Sequence, residues 1–300
     1  MLALRTYLTS TFGYFSSKVA DYVQLVKFRL SFTVVFSSVI AFAIASGGQF
    51  FFADLCVLFL GGFLITGASN ALNQVFEKDY DRLMERTKDR PLAQGRMFVP
   101  EATLAAGLMA VAGITILWQN FNTTAAVLGA VSLILYAFVY TPLKRISPIA
   151  VFVGAIPGAM PPLIGWIAAT GVFSFDAMII TSIQFLWQFP HFWAIGWLAH
   201  DDYIKAGYKL LPSSGGRDQF TALQCMIYIV ILIPVSLMLV KTGLVHWSMG
   251  FVLLAAALFF LFKAWQLYRD CSMEAARSLM FASIFYLPVV LLAILIGTRI

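Results

Sequence analysis

Long apolar runs separated by short polar stretches set the pattern of this chain. Nine runs lie at about 29–47, 52–75, 102–119, 122–140, 148–169, 174–198, 220–241, 246–266 and 278–298. Each approaches the roughly 20 apolar residues that a membrane-crossing helix needs. The pattern predicts an all-α polytopic membrane protein, a bundle of nine transmembrane helices. Polar residues concentrate in two loops, about 76–101 and 199–219, whereas the connections at the opposite end are very short. Residues 1–26 lack a continuous apolar core and a cleavage site, and no Arg- and Ser-rich, acid-free presequence stands there. They read as an N-terminal interfacial segment, not a signal or mitochondrial presequence. Residues 27–300 then form a single transmembrane domain whose candidate active-site loops are the two polar ones.

Charge orients the bundle. Of 20 Lys and Arg residues, 18 fall on the side of the N-terminus and the two long loops, leaving Lys241 and Arg299 on the other. The positive-inside rule therefore predicts a cytoplasmic N-terminus and an outside C-terminus, in a bacterial cytoplasmic (inner) membrane. Twelve of the 14 acids share that wet face, which marks it as the working one. Composition agrees: the chain is 61% hydrophobic and 11% charged, against about 45–50% and about 25% in soluble proteins. A soluble domain, a disordered chain and a nucleic-acid partner are excluded, and the net charge of +6 reflects topology. Cys56, Cys225 and Cys271 lie too far apart for a disulfide framework or a zinc site.

Chemistry is dense at the end of the second run, which reads Asn73-x3-Glu77-x3-Asp81. If the helix continues past Phe76, these three share one face, drifting about 40° per step. Two like charges at that spacing need a positive partner, and hard oxygen ligands suit Mg2+ held jointly with a substrate phosphate. Arg82, Arg86, Lys88 and Arg90 follow, and Pro91 is expected to close the helix. Carboxylates beside guanidinium groups make a candidate diphosphate site, with Asn73, Glu77 and Asp81 as metal ligands. The plain alternative is a solvated loop with locally paired charges. Asn73 weighs against it, because a polar group inside an apolar span is expensive.

Two further clusters follow. Lys144 and Arg145 end the fourth run, as topology anchors or phosphate contacts. The fifth run carries Gly154, Gly158, Pro157, Pro161 and Pro162, predicting close helix contact together with kinks or a broken helix. The sixth ends in Trp187-Gln-Phe-Pro-His191-Phe-Trp193-Ala, before His200-Asp201-Asp202-Tyr203. An intramembrane histidine is either a buried hydrogen-bonding residue or a functional one, and imidazole suits an iron porphyrin or its propionate.

These motifs resemble those of the intramembrane aromatic prenyltransferases, the UbiA superfamily. The carriers are Asn73-x3-Glu77-x3-Asp81, the run Met84 to Leu92, Leu143-Lys144-Arg145, and the tryptophan-rich run around His191 with Asp202-Tyr203-x-x-Ala206-Gly207. The chain looks most like the protoheme IX farnesyltransferase (heme O synthase) branch. That resemblance implies Mg2+-assisted transfer of farnesyl from farnesyl diphosphate to a vinyl group of heme B, with addition of water. It implies metal binding by Asn73, Glu77, Asp81, Asp201 and Asp202, with Asn73, Glu77, Asp81 and Asp202 catalytic. Arg82, Arg86, Lys88, Arg90, Lys144 and Arg145 would bind diphosphate, and His191, Trp187 and Trp193 would bind heme. A downstream heme A synthase or terminal oxidase assembly is the implied consumer. Three positions depart from the family: Glu77 replaces a common Asp, Ala150 replaces a common Asn, and adjacent Asp201-Asp202 replace two spaced acids. The rival readings are a prenyltransferase for a quinone precursor or chlorophyll-type ring, an ion-coupled transporter, and a non-catalytic heme-delivery or oxidase-assembly factor.

Overall fold

A computed structural model of the protein describes residues 17–213 and 215–298. Residues 1–16 of the expected interfacial segment, and Arg299, lie outside the described residues. Apart from an isolated bridge between Val245 and Thr298, the described secondary structure is helical. The long helices are α1 (Phe28–Ala45), α2 (Phe52–Asp81), α3 (Val99–Asn120), α4 (Thr123–Leu143), α5 (Ala150–Thr170), α6 (Phe175–Leu198), α7 (Gln219–Lys241), α8 (Trp247–Asp270) and α9 (Met273–Gly297). They coincide with the nine apolar runs. Among the described residues, eight are long and apolar enough to cross a membrane. The other, α6, is 24 residues long but carries Gln184, Gln188, Pro190 and His191, which lower its hydropathy. The chain is a multi-pass integral membrane protein.

Consecutive helices are neighbours in space, and α9 packs against α1. Two further packings, α1 on α5 and α6 on α9, draw the bundle together. Burial follows: 61% of the apolar window of α5 is inside the protein, against 22% for α3. Thus α5 is a central post and α3 a lipid-facing one. Side chains at Asn122, Ser174, Asp218 and Ser272 cap α4, α6, α7 and α9 by accepting backbone N–H groups.

The three prolines do not break α5, which runs unbroken from Ala150 to Thr170. The reason lies in its neighbours. Pro161 and Pro162 have no N–H for the carbonyls of Pro157 and Gly158 four residues back. Ser132 of α4 donates its hydroxyl to the Pro157 carbonyl (3.2 Å), and the Gln184 amide of α6 donates to that of Gly158 (2.8 Å). Side chains replace the missing donors, as backbone groups require where water is absent. The small residues behave as expected: a Cβ on Gly154 would lie 2.6 Å from the Tyr140 ring, and one on Gly165 would overlap the Ser38 carbonyl of α1.

A helical stretch at 17–25 precedes α1. Arg96 pairs with Asp21 (2.9 Å), Lys18 with Glu101 (3.1 Å), and the Gln74 amide donates to the carbonyls of Gln24 (3.1 Å) and Leu25 (2.8 Å). Lys27, in the left-handed region at φ 49°, turns the chain into α1.

The Ser38 carbonyl cannot rotate away as a side chain would. Gly165→Ala is therefore expected to destabilise the detergent-solubilised protein by about 3 kcal/mol, the upper range for overpacking. Gly107→Ala, with nothing within 4 Å of the added carbon, should leave the melting temperature unchanged or raise it. Thermal melts followed by intrinsic fluorescence check both.

Candidate active site

Helix α2 continues past its apolar stretch to Asp81, so Asn73, Glu77 and Asp81 do share one face. All three are buried, at 1%, 5% and 1% exposure. Carboxylates buried there need opposite charge. Lys144 forms an ion pair with Glu77, and Arg90 reaches both oxygens of Asp81 at 2.8 and 2.7 Å while lying 4.0 Å from Glu77. Lys27 donates to the Asn73 amide oxygen (3.1 Å), and the Asn73 amide nitrogen donates to the Thr141 hydroxyl (3.1 Å). Three cations from three segments thus close on one helical face.

Local folding brings them there. The helix stops at Asp81, well before Pro91, because the chain turns back on itself: the Thr87 hydroxyl donates to the Asp81 carbonyl (3.0 Å) and Arg82 to that of Ala93 (2.7 Å). That reversal returns Arg90 to the face it would otherwise have left. On the other side, α4 widens into a π-helical segment at Leu135–Tyr140 before presenting Lys144. The Lys144 ammonium sits over the rings of Tyr140 (4.9 Å) and Tyr208 (5.4 Å).

The second polar loop interlocks with the first. Asp202 accepts the Arg86 backbone N–H (3.3 Å), Arg86 donates to the Tyr203 hydroxyl (3.2 Å), and the Lys209 N–H donates to the Lys144 carbonyl (2.8 Å). Asp202 also pairs with Lys205. Its carboxyl loses some solvent, yet the Arg86 N–H and Lys205 hold it below the usual aspartate range. Asp201 is exposed and pairs with Arg217 (3.1 Å). Arg82 and Lys88 pair with Asp79 and Glu85, away from the buried face. Of the six cations singled out, Arg90 and Lys144 converge on the carboxylates, and Arg145 lines the adjoining cavity, its guanidinium 4.1 Å above the Tyr80 ring. That cavity, of about 210 Å3, is also walled by Phe76, Glu77, Phe138, Thr141 and Tyr208. Ala150, where the family often has Asn, is fully buried at the start of α5.

Two carboxylates and an amide oxygen on one buried face are a hard donor set, fitting a divalent cation that takes its remaining ligands from an anionic substrate. Among the described residues no three or more His, Cys, Asp or Glu gather into a metal-binding group. Asp201 and Asp202 would join Glu77 and Asp81 only by leaving their present partners.

On α6, Trp187 and His191 stand one turn apart and stack, ring centroids 4.7 Å apart. Both reach Ser283 of α9: the indole donates to its carbonyl (2.7 Å), and His191 Nδ1 lies 2.7 Å from its hydroxyl. The Ser283 hydroxyl already donates to the Met280 carbonyl (2.5 Å), so Nδ1 carries the proton and the Nε2 lone pair is left for a ligand. Trp193, two residues on, faces elsewhere and packs with Phe189 (5.5 Å) and Tyr228 (5.3 Å).

Lys27, Thr141 and Tyr208 escape the motif reading. Lys27 looks like an ordinary topology anchor, and nothing adjacent in sequence sets it apart. Burial, reinforced by nearby Arg90, pushes its ammonium well below the usual lysine range. Burial and then the Glu77 and Asp81 charges push the Tyr208 phenol upward.

Comparison with known proteins fits this arrangement. Residues 34–287 match the UbiA prenyltransferase family. A protoheme IX farnesyltransferase of Cytophaga hutchinsonii is 44% identical over 278 residues, 93% of this chain and 97% of that one. One from Christiangramia forsetii is 44% identical over 277 residues, 91% of each chain. The solved UbiA homolog from Archaeoglobus fulgidus bound to GPP and Mg2+ has the same fold, with a TM-score of 0.69 at 14% identity, over 91% of this chain and 99% of that one. The chain is a prenyltransferase and belongs to the UbiA prenyltransferase family.

Proposed function

We propose that this chain moves the farnesyl group of farnesyl diphosphate onto a vinyl group of heme B, water adding to the neighbouring carbon, to release heme O and inorganic diphosphate. The observation that carries the reading is the buried face of α2, where Glu77 and Asp81 meet Lys144 and Arg90 beside a cavity with apolar walls. Such a face suits an anionic head on a hydrocarbon tail. The acceptor is supported by the relatives' names and by His191, whose available Nε2 suits an iron porphyrin.

Asn73, Glu77 and Asp81 would hold Mg2+, which when bound offsets negative charge on the departing diphosphate. Arg90, Lys144 and Arg145 grip diphosphate oxygens and stabilise the leaving charge as the allylic C–O bond breaks. Burial keeps bulk water from the developing cation until the vinyl group meets it. Asp202 serves indirectly, by holding the Arg86 backbone. The 18-to-2 asymmetry of basic residues supports a cytoplasmic location for this face in a bacterial inner membrane. A product this apolar needs a membrane-bound consumer, such as a heme A synthase or a terminal oxidase under assembly.

Purified full-length protein in detergent, given heme B, farnesyl diphosphate and Mg2+, is expected to yield a product with the mass of heme O, lost on chelation. Prenylation of a quinone precursor with heme untouched would overturn the acceptor. Glu77→Gln and Asp81→Asn should each lower kcat/KM at least about 100-fold, two orders of magnitude being a plain measure of lost transition-state charge stabilisation. Unchanged helical content and gel-filtration profile would accompany the loss; near-normal rates in both would remove the metal site. His191→Ala should abolish the Soret shift of added heme while leaving farnesyl diphosphate binding intact, and an unaltered shift would dismiss the iron ligand.

A further inference from the structure

His191 is held by a residue that belongs to none of the sequence motifs. Ser283 lies on α9, is fully buried, and serves α6 with both its hydroxyl and its carbonyl. A serine inside a helix needs no such partner. Its hydroxyl can donate to a carbonyl one turn back in its own helix, and that bond satisfies it. Ser283 makes that bond, to the Met280 carbonyl at 2.5 Å. With its proton committed there, the hydroxyl offers only lone pairs to any other neighbour. His191 Nδ1, 2.7 Å away, is therefore the donor of the pair.

A neutral imidazole has a single N–H, and spending it at Nδ1 leaves Nε2 as the basic nitrogen. The plane of the ring is fixed by the same residue. Trp187 stacks on His191 with the two planes within 16°, and its indole N–H is tied to the Ser283 carbonyl (2.7 Å). Turning the imidazole over would put a carbon where Nδ1 stands and lose the bond to the hydroxyl. One residue of α9 thus decides which nitrogen is free and, through Trp187, the plane in which its lone pair lies.

We propose that Ser283 is a positioning residue for the heme acceptor, its hydroxyl accepting the His191 Nδ1–H so that Nε2 presents its lone pair to the iron. The inference rests on the heme reading above. A hydrogen bond behind a metal-ligating histidine orients the ring and raises the basicity of the ligating nitrogen. The last helix, which carries none of the motifs, thereby takes part in placing the acceptor. Ser283 itself does not touch the iron, and no proton is transferred.

Ser283→Ala in the full chain removes the acceptor and keeps the carbonyl that Trp187 uses. In optical titrations without farnesyl diphosphate, heme B is expected to bind about 10- to 100-fold more weakly, the range for losing a bond behind a metal-ligating histidine. The KM for heme should rise and that for farnesyl diphosphate should not. The heme that binds should be reduced at a higher potential, because a less basic imidazole favours the ferric state less. Ser283→Thr, which returns a hydroxyl to the same backbone position, should recover both affinity and potential. Unchanged heme affinity and potential in Ser283→Ala overturn the proposal. So does an equal rise in both KM values, or a Ser283→Thr protein that behaves like Ser283→Ala, since either would make Ser283 a packing residue. If His191→Ala binds heme with the wild-type spectrum and affinity, the iron-ligand reading itself falls, and this inference with it, whatever Ser283→Ala does.

Discussion

The structure turns on the need to keep two carboxylates charged on a buried helical face. Breaking one side of a buried ion pair costs about 3–5 kcal/mol, because the remaining charge has no water to fall back on. Glu77 and Asp81 are buried, and their counter-ions come from far along the chain: Lys144 from beyond α4, Arg90 from the reversal after α2. Each cation constrains a segment. Lys144 fixes the exit of the π-helical segment, Arg90 fixes the loop at 82–98, and Lys27, bonded to Asn73, fixes the turn into α1. The same charges that would handle an anion therefore also assemble the site that receives it.

A similar economy runs through the apolar part. In hydrocarbon every backbone carbonyl needs a donor. Pro161 and Pro162 of α5 leave two carbonyls short, and Ser132 and Gln184 supply them. Those polar side chains look out of place in a membrane when read singly. They are explained by the prolines they face, and the prolines are tolerated only because the side chains are there. Gly154 and Gly158 let the Tyr140 ring and the Gln188 side chain approach α5 closely.

Much of this was legible in the sequence. The apolar runs anticipate the long helices because a bilayer imposes one length and one periodicity on every span. The i, i+4, i+8 spacing of Asn73, Glu77 and Asp81 reads correctly as one face once the helix runs past Phe76. What was not legible depends on pairing between distant segments. Pro91 looked like the helix terminator, but the Thr87 hydroxyl and Arg90 stop the helix at Asp81 through bonds that no local pattern announces. The prolines of α5 suggested a break because their compensating donors lie on α4 and α6. Asp201 and Asp202 carried the acid signature of a metal motif, yet their partners are Arg217, Lys205 and the Arg86 backbone. Lys27 is one lysine among many at a membrane boundary until Asn73 is found beside it.

The two sites also stand in a definite relation. Glu77 lies four residues before the end of α2. His191 lies seven residues before the end of α6, about 10 Å in from that end at 1.5 Å per residue, against about 6 Å for Glu77. Both helix ends adjoin the same pair of interlocked loops. An anionic head gripped at the loops would direct its hydrocarbon tail inward, and a flat iron porphyrin anchored at His191 would meet it below the charged face. On the proposed reading, this would set the groups that stabilise departing charge apart from the aromatic region around Trp187, where a carbocation would need dryness. A geometry of this kind keeps the ionising bond near its counter-ions and the reacting carbon away from bulk water, which is the division of labour that prenyl transfer onto an apolar ring demands.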